Sequence, residues 1–76
     1  MKEAGENRVL SSLMPGEDGE VLDARDAPTH LKNMGFISGT KVKSLQRSLF
    51  GDPTAFLVRG AVIALRKKDT EKIRLK

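Results

Sequence analysis

The chain has no cysteine, tryptophan or tyrosine and only one histidine among its 76 residues. Without cysteine there is no disulfide framework, zinc ribbon or thiol nucleophile, and that fits a reducing compartment. His30 is the only imidazole, and Ser11 and Ser12 have no base near them in sequence. No glycine-rich phosphate loop is present either, so the residues offer no catalytic centre, no metal ligand set and no cofactor site. Three phenylalanines are the whole aromatic supply. That is too few for the aromatic walls of a polyproline groove, and thin for single-stranded nucleic acid, where each stacked base contributes about 1–3 kcal/mol. No apolar run approaches the roughly 20 residues that span a bilayer, and residues 1–7 are too polar for a signal peptide. A soluble, cytoplasmic, non-enzymatic protein is expected, with no direct membrane insertion.

What is present is a globular balance of 38% hydrophobic and 32% charged residues, in a chain short enough for a single domain. At this size only roughly 60% of the unfolded surface is buried on folding, so a modest core has to suffice. The net charge of +4 conceals an asymmetry. Residues 1–40 carry 4 Lys/Arg against 7 Asp/Glu, whereas residues 41–76 carry 10 against 3. A solvated strand face accounts for such a run; a basic surface facing an acidic partner, nucleic acid or lipid headgroups also would.

Residues 1–7 mix charges and glycine without periodicity and read as a flexible N-terminal tail, leaving 8–76 as one domain. Val9, Leu10, Leu13 and Met14 suit one helical turn or a strand entering the Pro15-Gly16 turn. A strand is expected over Glu20–Arg25. The segment from Asp26 to Gly35 predicts a helix, with Asp26 as N-cap, Pro28 in the first turn and Ala27, Leu31 and Met34 on one apolar face. Gly35 ends it in left-handed geometry. Lys41–Arg47 is a strand, Gly51-Asp52-Pro53 a turn, and Thr54–Val58 and Ala61–Arg66 are strands reversed at Arg59-Gly60. Phe56, Val58, Ile63 and Leu65 take the core phase. "KKDTEK" fits one helical turn, and Ile73 and Leu75 alternate in a last strand. About five short strands with turns every 8–12 residues predict a mainly β fold, a small closed or half-closed antiparallel barrel with one short helix after its first strand.

The residues Leu13, Pro15-Gly16, Gly19 and Val21, then "HLKNMGFISGTKV" and "RSLFGDPTAFLVRGAVIALRKKDTEKIRL", carry a resemblance. In this order and spacing the chain resembles the FeoA family, small cytosolic proteins of bacterial ferrous iron transport. The likeness covers roughly residues 8–75. Where that family often has arginine before the helical leucine, this chain has His30. The resemblance implies an SH3-like barrel and a role supporting FeoB, the membrane GTP-binding ferrous iron transporter, through its cytosolic domain. The same module occurs as the C-terminal domain of iron-dependent repressors.

On the strand phase above, Leu57 and Leu45 point outward, and Leu49-Phe50 lies in a loop. Exposed, these residues would form an apolar patch rimmed by Arg47, Arg59 and Lys43, a protein-contact surface. Leu49 or Phe50 folding back over a barrel end is the other reading. The expected partner-binding residues are Arg47, Leu49, Phe50, Leu57 and Arg59, since arginine and aromatic residues commonly anchor such surfaces. Asp23, Asp26 and His30 could approach one another at the start of the helix, but as a cap beside an exposed histidine rather than a metal site. Two alternatives stay open: a regulatory module related to iron-dependent repressors, and a small basic nucleic-acid-binding barrel.

Overall fold

Alternation of apolar and polar residues along the second half of the chain builds most of the structure. The computed structural model describes residues 8–47 and 52–76, with Arg47 described through its backbone. After a single 3-10 turn at Leu10–Ser12 come β1 (Asp18–Asp23), α1 (Thr29–Asn33), β2 (Lys41–Arg47), β3 (Thr54–Val58), β4 (Ala61–Leu65), α2 (Lys67–Thr70) and β5 (Arg74–Leu75). The strands form one antiparallel sheet in the order β4-β3-β2-β1-β5. This is the five-stranded, mainly β architecture that the periodicity predicts.

Inward positions recur every second residue: Val42 and Ser44 on β2, Phe56 and Val58 on β3, Leu65 on β4. They join Leu10, Leu13, Val21, Leu31, Phe36, Ile73 and Leu75 in one core, with Ile63 packed against it. Antiparallel pairing sets Ser44 against Phe56 and Phe56 against Ile63. Ser44 Oγ is the exception within this layer, fully buried with no hydrogen-bond partner among the described residues. Such a group costs about 1–3 kcal/mol relative to a satisfied one.

The β3–β4 hairpin is closed by Arg59 (φ 52°) and Gly60 (φ 81°). Two successive positive φ values are what a type I′ turn requires, and its twist matches that of the flanking strands. Arg59 is the only non-glycine residue with positive φ among the described residues.

Three expectations need correcting. The first strand starts at Asp18 and ends at Asp23, because the pairing Asp18↔Lys43 extends it N-terminally. The helix is shorter than its sequence signals: it runs from Thr29, with Pro28 at the N-cap position and no side-chain cap. Asp26 therefore does not cap it; Asp26 lies in a preceding turn in which the Ala27 N–H donates to the Ala24 carbonyl. Met34, expected on the apolar face, is the half-exposed C-cap, and Phe36 beyond the helix takes the buried place instead.

Of the expected Gly51-Asp52-Pro53 turn, Gly51 lies outside the described residues, and Asp52 acts at a distance. Its Oδ1 accepts the Lys67 backbone N–H at 2.7 Å. Lys67 is the first residue of α2, whose own N-cap residue, Arg66, has no side-chain oxygen to cap it. A carboxylate from a loop fifteen residues upstream thus satisfies an orphan donor at a helix start and ties the β2–β3 connection to the end of β4. Asp52→Ala is expected to lower the unfolding free energy by about 1 kcal/mol, measured by urea denaturation, as loss of a capping acceptor does.

Candidate partner-contact face

The faces of β2, β3 and β4 turned away from the core carry the candidate site. Because Val42, Ser44, Phe56 and Val58 point inward, Lys41, Lys43 and Leu57 must point outward. The register places Asp18 opposite Lys43, Lys43 opposite Leu57, and Leu57 opposite Val62. These four residues form one row across β1 to β4. Leu57 is 38% exposed and Val62 67%. A second row sets Glu20 against Lys41, and a third sets Ala55 against the exposed Ala64.

The apolar part of this face is therefore Leu57, Val62 and Ala64. Its rim is cationic on the β2 side and at the hairpin. A shallow groove of about 210 Å³ is lined by Asp18, Lys41, Val42, Lys43, Leu57, Arg59 and Gly60. Among the described residues neither Lys43 nor Arg59 makes an ion pair, so both are available to an incoming carboxylate. Glu20 is engaged already. Lys76 Nζ lies 2.9 Å from its Oε2, and that hydrogen bond and charge, with a smaller contribution from Lys41, hold its carboxyl below the ordinary value of 4.5.

Arg59 is held from below. The Arg59 side chain crosses Gly35, where a Cβ would come within 3.1 Å of Arg59 Cδ and 3.4 Å of Val58 Cγ1. Gly35 also has φ +112°, a conformation that disfavours any side chain. The Met34-Gly35 corner after α1 is therefore the platform for the arginine at the hairpin tip.

Of the expected contact residues, Leu57 and Arg59 come together in the groove. Arg47 does not join them: its backbone pairs with Thr54, at the opposite end of β3 from Arg59. Five residues of strand separate those two ends, roughly 16 Å. Leu49 and Phe50 lie outside the described residues. Leu45 is half-buried, where a register shift between Ser44 and Arg47 interrupts the alternation. Val62 was not singled out by sequence, although the core phase of Ile63 and Leu65 already implied that it points outward.

The acidic residues near α1 do not converge. Asp23 Oδ2 lies 3.6 Å from Arg74 Nε and 3.8 Å from Arg25 Nε, and His30 is exposed. Among the described residues no three of His, Cys, Asp and Glu are placed to hold a metal ion. No described helix is long and apolar enough to cross a membrane.

The FeoA domain model matches residues 8–76. Among solved structures, the chain is similar to the FeoA protein from Chlorobium tepidum, with 28% identity and a TM-score of 0.82 over 90% of this chain and 68% of that one. It is similar to iron(II) transport protein A from Clostridium thermocellum, with 26% identity and a TM-score of 0.83 over 91% of this chain and 44% of that one. The fold is also that of Stenotrophomonas maltophilia FeoA, solved with zinc, with 24% identity and a TM-score of 0.80 over 91% of this chain and 89% of that one. That protein is described as a procaryotic SH3 domain protein, for which a role as a ferrous iron transport activating factor has been suggested. Comparison with curated proteins gives no match.

Gly35→Ala is expected to destabilise the fold by about 1–3 kcal/mol, from backbone strain at positive φ together with displacement of Arg59. Chemical denaturation measures the loss, and the Arg59 side-chain resonance should shift in the same variant.

Proposed function

The chain belongs to the FeoA family, and on that premise we propose that it is a non-enzymatic, cytoplasmic accessory protein of bacterial ferrous iron transport. Its action is to bind the cytosolic domain of a FeoB-type membrane transporter. The observation that carries this reading is the outward row Lys43, Leu57 and Val62 beside the supported Arg59. An exposed apolar strip with unpaired cations at its rim is the composition of a protein-contact surface, with leucine and valine to be desolvated and charges to orient the partner. Leu57, Arg59, Leu49, Phe50 and Arg47 are the proposed contacts. Such a module influences transport or nucleotide turnover only by binding one transporter state more tightly than another.

The 10 Lys/Arg of residues 41–76 favour a second reading, a nucleic-acid-binding barrel. Against it, Phe36 and Phe56 are both buried, so no stacking platform is offered by the described aromatics. Leu57→Ala and Phe50→Ala should each weaken binding to the purified cytosolic domain by about 1–2 kcal/mol, as truncation of an anchor does. Folded variants that bind with unchanged affinity would remove these residues from the interface.

A further inference from the structure

The outward face ends at β4, and β4 is a strand with one bare side. It pairs with β3 over all five residues without a bulge. Among the described residues no other backbone group bonds to Ala61–Leu65. The two-residue hairpin makes Val58↔Ala61 the hydrogen-bonded closing pair. Alternation of the antiparallel ladder then turns the N–H and C=O of Val62 and Ala64 away from β3, toward solvent. Natural edges of this kind are blunted by proline, charge, bulges or a covering element. "AVIAL" has no proline, charge or bulge.

We propose that this open edge accepts an extended acidic peptide segment as an additional strand. Main-chain bonds to Val62 and Ala64 would supply the pairing, as in other strand-addition sites. Charge selects the occupant. Residues 53–68 contain Arg59, Arg66, Lys67 and Lys68 and no Asp or Glu; Asp52, on the Lys67 N–H, and Asp69 offset part of the charge just after β4, which stays net positive. Arg59 stands just before the strand and the other three just after it, all exposed. The Arg59 side chain is turned to Gly35, so a segment lying along β4 meets its cations, Arg66, Lys67 and Lys68, at one end, and carboxylates there are matched. A second copy of this chain fits poorly. Antiparallel pairing of two β4 strands centred on Ile63 brings the Arg59 end of each copy to the Arg66–Lys68 end of the other, and like charges brought together disfavour the pairing. The site uses the strand edge and holds whichever protein supplies the segment.

The test is hydrogen exchange by NMR on the labelled full chain. The probes are an eight-residue peptide alternating valine and glutamate, the same peptide with lysine for glutamate, and a single-stranded oligonucleotide. The acidic peptide should slow exchange at the Val62 and Ala64 amides, and the lysine peptide should bind at least about tenfold more weakly, since it sets like charges together. Val62→Pro should abolish the protection, because that N–H faces outward and the intrachain ladder does not use it. Should that variant unfold, the double change Arg66→Glu, Lys68→Glu should weaken the acidic peptide by a similar factor. Equal binding of both peptides, no protection at the two amides, protection that grows with protein concentration alone, or preferential protection by the oligonucleotide would each overturn the proposal.

Discussion

The antiparallel register that sets Ser44 against Phe56 and Phe56 against Ile63 determines which side chains this protein has left for contact with anything else. A slip of one residue in that pairing would send Leu57 and Val62 into the core and Phe56 and Val58 into water. The type I′ turn at Arg59-Gly60 holds the register from one end. The Asp52 carboxylate on the Lys67 N–H holds it from the other, where β4 passes into α2. A chain of 76 residues has little core to spare, so inward positions are all claimed by packing. Function is confined to what faces outward or lies on an open edge.

Much of this was legible because it is local. The hairpin was readable from Arg59-Gly60 between alternating apolar runs, and Phe56, Val58 and Leu65 occupy the core as their phase requires. The resemblance carried by Gly-Asp-Pro, the hairpin glycine and the final isoleucine strand agrees with the family match. What escaped the sequence was non-local. Asp52 looked like a turn residue because its partner lies fifteen positions away. Asp26 looked like a cap, but the turn formed by Ala24 and Ala27 delays the helix to Thr29. Phe36 is buried because the chain folds back after Gly35, which no periodicity signals. Ser44 shows no sequence sign of being an orphaned hydroxyl in the core.

The geometry of the candidate face was legible in part. Leu57 follows from strand phase and Arg59 from its place as a rim arginine at the hairpin, and the two share one groove. Val62 stands next to Ile63, which packs against the core, and so faces outward, where it is more exposed than Leu57. Arg47 and Arg59 look like one rim in sequence, but antiparallel geometry puts them at opposite ends of β3. The support of Arg59 by Gly35 joins two motifs of the resemblance, the Met-Gly corner and the hairpin, into one feature. This gives the glycine a role in positioning a surface cation as well as in ending a helix.

On the proposed reading, the outward row of β2, β3 and β4 is the working surface of a protein-binding module in ferrous iron transport. Titration of the isotope-labelled chain with the cytosolic domain of a FeoB-type transporter, followed by backbone NMR, tests that most directly. Resonances of Lys43, Leu57, Arg59 and Val62 should shift or broaden first, and an equal concentration of single-stranded nucleic acid should leave them in place. Changes confined to the segment around the 3-10 turn, Leu10–Ser12, or a response to nucleic acid alone, would contradict it.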